Sequence, residues 1–411
     1  MRIRAVRAMA VQERVLWARS VEKTVSLRAF SHAGAHAPAS VTAPPRTRGP
    51  RTGPASGPGS VLVEIVADDG LVGIGLGGGG WPGALVVQDY LTPLLLDEDP
   101  RDTERLWERM YRSTARYGQA GLALMAISGV DLALWDLKAK VMGQPVYQLL
   151  GGRARETVPV YATVRDPQWA RAQGFVGIKV GGPFGPEDGR DGQRANEEAV
   201  AMIRELVGPD MDIMIDCSST WGVAYTLEMA RILAPYRIAF IEEPVGPEDV
   251  DGYATLRRRI GSTLIAGGEH AYTRYGARRL LERGAVDILQ PDIRWTGGLS
   301  ETLKICDLAA AHNVPIMPHR GGMAWALHLI LARPDCPLAE GLTLTDEEAA
   351  CSLFDGEPVP REGLLSVGDA PGFGLTMRAE PDGQRRLEEL REPAPWIDIR
   401  QSHTKDAFSH E

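Results

Sequence analysis

Cysteine is scarce. The 411 residues contain four, and Cys217, Cys306, Cys336 and Cys351 each stand alone, with no CxxC pair. That excludes a disulfide scaffold and a cysteine zinc site, and it fits a reducing cytoplasm. An excess of positive charge is also missing. A formal net charge of −9, with Lys and Arg scattered, leaves no footprint for nucleic acid or an anionic membrane. No apolar run approaches the roughly 18–20 residues that span a bilayer. No strand-like segment is followed by GxGxxG, which argues against a dinucleotide-binding sheet. The run Gly77–Gly80 lacks the Lys-Ser/Thr of a phosphate loop and is expected to be a flexible turn. What remains is a globular composition. Hydrophobic residues make up 44%, enough for a real core, and charged residues 24%, which is ordinary for a folded protein.

The N-terminal stretch MRIRAVRAMAVQERV is Arg-rich like a presequence, but Ile3, Ala5, Ala8 and Ala10 suit a first strand better. Residues 30–60 are crowded with Pro, Gly, Ala, Ser and Arg and carry neither a helical nor a strand period. VLVEIVADDGLVGIGLG then reads as a hairpin around its DG turn. A helix is expected over DPRDTERLWERMYRST. An amphipathic helix is expected where Leu124, Ile127, Val130, Leu134, Leu137 and Val141 recur, stopping at Gly143 and Pro145.

After Gly152 strand and helix alternate. VPVYATV, FVGIKVG, MDIMIDCS, IAFIEEP, TLIAGGE, VDILQPDI and VPIMPHR are short, apolar and β-branched, as strands buried on both faces are. PLAEGLTL is a weaker eighth. Amphipathic stretches such as NEEAVAMIRELVG and SETLKICDLAAAH lie between them. Seven or eight such units over some 200 residues predict a (β/α) barrel.

Polar residues fall at the C-terminal ends of successive strands: Asp216, Glu242, Glu269, Asp292 and His319. Their intervals of 26, 27, 23 and 27 residues each match one β/α unit, so in a barrel the ends converge on one site. Three converging carboxylates need a counter-charge. Oxygen-only donors point to Mg²⁺; the alternative is pairing with Lys179, Arg294 or Arg320. On neighbouring strand ends, Asp292 can hold one nitrogen of His319 and raise the basicity of the other.

With DLALWDLKAKVMGQPVYQLLGG, IDCS, FIEEP, GGEH, LQPD and PH in place, the chain resembles the enolase superfamily, mandelate racemase subgroup, over nearly its whole length. The resemblance implies a (β/α)7β modified TIM barrel with an α+β N-terminal capping domain completed by the C-terminal segment. On that plan residues 1–150 form the cap, 151–352 the barrel and 353–411 the returning segment, frayed at its end. It implies Asp216, Glu242 and Glu269 as Mg²⁺ ligands and an Asp292–His319 dyad as general base. The shared first step is removal of a proton next to a carboxylate.

Racemases of the subgroup carry Lys-x-Lys on the second strand. Here GIKVGG offers Lys179 but places Gly181 at the second lysine. A one-sided site suits β-elimination of water, so the expected activity is that of an acid-sugar dehydratase acting on an aldonate or aldarate. An epimerase or racemase, and a non-catalytic sugar-acid-binding homologue, are the rivals. Lys179 is expected to act in catalysis, to balance the metal carboxylates or to hold the substrate carboxylate. His270 is a second acid candidate or a support for its neighbour. Glu340 matches a carboxyl group near the substrate carboxylate. Arg51 and His32 or His36, in the Pro/Gly/Arg loop, match substrate-binding residues. Arg320 replaces the usual Gly after the dyad histidine, and Arg294 replaces a small residue after QPD. The two arginines would favour a second substrate carboxylate or serve as surface pairs. The resemblance also implies a homo-oligomer, a dimer or octamer.

Overall fold

The computed structural model describes residues 1–11, 59–163, 166–342, 344–350 and 352–378. His32, His36, Arg51, Cys351 and the segment 379–411 lie outside the described residues.

Three antiparallel strands, β1 (Ile3–Val11), β2 (Ser60–Ala67) and β3 (Val72–Gly78), open the fold in the order β1-β2-β3. The DG pair closes the β2–β3 hairpin as expected, with Gly70 at φ 87°. Helix α1 (Thr103–Thr114) packs against α2 (Leu122–Val141), which covers the sheet. The glycine run is not a flexible turn. Gly77 and Gly78 end β3 and Gly79 and Gly80 begin a short helix, all of them buried. Gly73, Gly75 and Gly77 share one face of β3, where a Cβ would come within 2.2, 2.1 and 2.3 Å of the carbonyl oxygens of Ala133, Gly129 and Met125. The alternate glycines let one ridge of α2, spaced every four residues, lie directly on the strand backbone.

The same closeness corrects the amphipathic expectation for α2. Leu124, Ile127, Val130, Leu134 and Leu137 are buried, but so are Leu132, Trp135 and Ala139 on its other side. The helix is sandwiched between the sheet and the barrel. Two buried aspartates serve the two sides. Asp131 accepts from Ser300 N (2.9 Å) and Oγ (2.6 Å), capping a barrel helix. Asp136 accepts from Ile74 N and Phe373 N, both at 2.9 Å, and from Lys140. Through Phe373 the segment after the barrel is drawn back onto α2.

The second part is a curled parallel sheet. Its strands are β4 (Val158–Thr163), β5 (Gly177–Gly181), β6 (Asp212–Asp216), β7 (Ile238–Glu242), β8 (Leu264–Gly267), β9 (Ile288–Leu289) and β10 (Ala339–Gly341). They pair in the order β10-β4-β5-β6-β7-β8-β9. Helices lie between successive strands, among them α3 (Gly189–Val207), α4 (Gly298–Ala311) and α5 (Ala324–Ala332). VPIMPHR is not a full strand. It contributes one parallel bridge, Leu289↔Ile316, because Pro315 and Pro318 remove ladder donors on either side. Pairs such as Tyr161 against Phe240, with Met214 and Met317, fill the interior.

His328 on α5 shows how tightly the returning segment is packed. Its Nδ1 accepts from Tyr147 N (3.1 Å), so Nε2 carries the proton and donates to Phe373 O (3.3 Å). Burial pulls its pKa down to about 4. The unfolded chain protonates this histidine near its ordinary value while the folded chain does not. Stability is therefore lost as pH falls from about 6.5 to about 4, by on the order of 3 kcal/mol. Thermal unfolding across that range checks this, and the acid loss should shrink in His328→Gln. Gly75→Ala should lower stability by about 1–3 kcal/mol or more, by driving α2 off β3, measured by denaturant unfolding.

Candidate functional site

The described residues of the ladder meet at one end of the parallel sheet. Asp216 and Glu242 are the last residues of β6 and β7 and are direct register partners. Glu269, Asp292 and His319 follow β8, β9 and the Ile316 bridge by two or three residues.

One half of the site is organised by Lys179. It projects from the middle of β5 and is 2% exposed. Its Nζ lies 2.5 Å from Glu242 Oε1, 2.8 Å from Glu340 Oε1 and 3.5 Å from Asp216 Oδ2. Burial alone would lower the lysine pKa, but the three carboxylates outweigh it and hold the ammonium charged. Burial likewise raises the Glu340 carboxyl, yet Lys179 and His319 bring it down to about 2. Glu340 also accepts from Thr163 Oγ1 (3.1 Å) and from Arg320 N (2.7 Å). Arg320 thus touches the site through its backbone, in a left-handed conformation at φ 57°. Gln290 Nε2 donates to Glu242 Oε2 at 2.7 Å, so both oxygens of Glu242 are engaged.

The other half holds two imidazoles. His319 Nδ1 lies 2.9 Å from Asp292 Oδ2, and its Nε2 lies 3.5 Å from Glu269 Oε2. Burial would depress His319, but Glu269 and Asp292 raise it above the usual histidine value. Burial would raise Asp292, but Arg294 and His319 hold it below the ordinary carboxylate range. Arg294 is no surface pair: it is 2% exposed, with Nε 3.8 Å from Asp292 Oδ1. His270 Nδ1 lies 3.0 Å from Glu243 Oε1. Burial opposes its charge, but Glu243 and Glu269 raise it to about 9. Trp295 stands between the imidazoles, its ring 5.6 Å from that of His270 and 5.2 Å from that of His319.

Glu243, Gln290 and Trp295 were not singled out from sequence. The signals were there: a doubled Glu in FIEEP, and the polar and aromatic neighbours of Asp292 in LQPDIRW. Among the described residues, the ligand atoms within 4.8 Å of one another belong to Glu243, Glu269 and His270. The expected trio is less compact than this, and both oxygens of Glu242 are engaged by Lys179 and Gln290. Its donor chemistry still fits a hard cation: carboxylate oxygens from three adjacent strand ends. Asp216 Oδ1 is steadied by Ser218 N at 2.9 Å, and the Glu269 carboxyl is pushed up to about 7 by burial.

Fold and site together are those of an enolase-type barrel protein with a carboxylate cluster and an Asp–His pair at its mouth. Residues 51–151 match the model for the N-terminal domain of the mandelate racemase / muconate lactonizing enzyme family, and residues 164–381 the enolase C-terminal domain-like model. The chain belongs to this family. It is 40% identical to L-rhamnonate dehydratase of Saccharopolyspora erythraea over 80% of this chain and 85% of that one. Rhamnonate dehydratase from Gibberella zeae, solved in complex with Mg, is 41% identical with a TM-score of 0.76, covering 82% of this chain and 84% of that one. A structure of L-rhamnonate dehydratase from the same organism superposes with a TM-score of 0.80 at 36% identity, covering 96% and 98%.

Lys179→Met should leave buried carboxylates uncompensated and cost about 3–5 kcal/mol without metal. Mg²⁺ should restore part of that loss. Calorimetric melts in EDTA and in Mg²⁺ check this: the variant should gain more from Mg²⁺ than the wild type does.

Proposed function

We propose that the protein is a Mg²⁺-dependent acid-sugar dehydratase. It removes the proton next to a carboxylate, expels the β-hydroxyl and yields a 2-keto-3-deoxy sugar acid, with L-rhamnonate or a related aldonate or aldarate as substrate. The observation that carries this reading is the Asp292–His319 pair, 2.9 Å apart, set beside the strand-end carboxylates. The likeness to L-rhamnonate dehydratase at 40% identity supports the substrate class.

Asp216, Glu242 and Glu269 would hold Mg²⁺, which supplies positive charge to the substrate carboxylate as the α-proton leaves. Asp292 occupies His319 Nδ1 and leaves Nε2 to take that proton. The C–H electron pair moves into the carboxylate. As it returns, the β C–O bond breaks, and the hydroxide takes a proton from His319 or His270 to leave as water. The enol then tautomerises to the ketone. Lys179, at the first position of Lys-x-Lys, is engaged by Glu242 and Glu340, and Gly181 offers no base. That favours elimination over two-sided racemisation. Glu340, Arg320, Arg51 and His32 are assigned to the sugar acid.

We place the enzyme in the cytoplasm, which suits the buried free thiols of Cys217, Cys306 and Cys336. No helix among the described residues is long and apolar enough to cross a membrane. Family resemblance supports a homo-oligomer.

The test is a screen of the Mg²⁺-loaded protein against mono- and di-acid sugars, reading 2-keto-3-deoxy product as its semicarbazone. His319→Asn should lower turnover by about 10²–10⁴ and abolish α-proton exchange in D₂O. Exchange without dehydration in the wild type would instead favour an epimerase. Mg²⁺ and sugar-acid binding with neither reaction would favour a non-catalytic role.

A further inference from the structure

Asp292 holds His319 at a single point, Nδ1. A ring held by one hydrogen bond can still turn about it, and Nε2 then sweeps an arc. Glu269 lies 3.5 Å from Nε2, too far to fix it. A proton acceptor has to be held to within about 0.5 Å by groups that are themselves locked, so a second contact is needed. Trp295 supplies it. Its indole is tilted 51° against the His319 ring with the centroids 5.2 Å apart, within the range of a favourable aromatic contact.

Both contacts come from one turn. Trp295 N and Thr296 N donate to Asp292 O at 2.9 and 2.8 Å, and Arg294 N donates to Asp292 Oδ1 at 2.7 Å. Carboxylate and indole are therefore fixed relative to each other. The N-terminal layer seats the turn. Gly297 N donates to Ser128 Oγ of α2 (2.9 Å), and Gly297 O accepts from Trp107 Nε1 of α1 (2.6 Å). The pyrrole edge of the indole lies against the end of β3. A Cβ on Gly78 would come 2.9 Å from Trp295 Nε1, 3.0 Å from Cδ1 and 3.1 Å from Met125 Sδ, where normal contact is about 3.5–4.0 Å. Gly78 has no left-handed φ. Its missing side chain makes room for the ring and serves no turn of the backbone.

We infer that Trp295 is a positioning residue for His319, and that Gly78 of the N-terminal layer sets where its indole sits. The inference rests on the dehydratase reading, in which His319 takes the α-proton. The competing use of a half-buried indole is as a wall that touches the sugar acid.

The experiment uses the Mg²⁺-loaded full chain with L-rhamnonate as probe. The variants are Gly78→Ala, Trp295→Ala, Trp295→Phe and the double variant Gly78→Ala/Trp295→Phe. Gly78→Ala and Trp295→Ala are expected to lower kcat by about 10- to 100-fold, with α-proton loss in D₂O falling by the same factor. KM should stay within about threefold of wild type. Trp295→Phe keeps part of the rate, and in the double variant the smaller ring restores part of what Gly78→Ala loses. A raised KM with unchanged kcat in Trp295→Ala overturns the inference and makes the indole a substrate contact. A double variant no faster than Gly78→Ala overturns the role given to Gly78. A second readout is independent of turnover and survives a Gly78→Ala that does not fold. In chain labelled with fluorotryptophan, the Trp295 fluorine resonance, assigned by its loss in Trp295→Phe, should shift in Gly78→Ala and in His319→Asn. A resonance that stays put in His319→Asn shows that indole and imidazole are not in contact, and the inference fails. Wild type that forms no keto product while the resonance does shift would sink the dehydratase reading and leave the seating of the indole intact.

Discussion

One buried ammonium organises the acidic end of the barrel. Lys179 Nζ faces Glu242, Glu340 and Asp216 within 3.5 Å. Without a cation there, three carboxylates in a poorly solvated site would repel one another and open the sheet. The ion pairs make the cluster tolerable, and they also set its geometry. They hold Glu242 inward, and Glu340 on β10 is drawn across towards β5. Because β10 and β5 both pair with β4, the charge contact reaches across the strand between them. The other half of the site has the opposite problem, since its imidazoles must keep distinct orientations side by side. Carboxylates at Nδ1 and an indole between the rings solve it.

Much of this was accessible from residue order. Strand ends at intervals of one β/α unit announced where Asp216, Glu242, Glu269, Asp292 and His319 would converge, because a parallel barrel makes successive C-terminal ends neighbours. What residue order could not give depends on backbone detail. Glu243 belongs to the site only through a left-handed φ, which no alternation pattern predicts. Arg294 by type suits either a second substrate carboxylate or a surface pair, and its burial beside Asp292 is a matter of tertiary packing. VPIMPHR carries a strand's apolar residues, but its two prolines interrupt the ladder.

The glycines of β3 depart from the expected turn for a related reason. A Gly-rich run is a flexible turn by composition, yet alternate glycines on a strand are also a surface without side chains. α2 fills that surface, and its burial on all sides then requires Asp131 and Asp136 to satisfy backbone donors that water cannot reach. The apolar period of α2 described one face correctly and said nothing about the other.

The stretch 290–300 has a mechanical meaning. Gln290 holds Glu242, Asp292 holds His319, Trp295 separates the two imidazoles, and Ser300 is gripped by Asp131 and Trp135 of α2. A single short span of chain therefore touches the acidic cluster and His319 and carries the anchor of the N-terminal layer. The placement of the two imidazoles beside Trp295 is thereby tied, through this span, to how the two layers are docked.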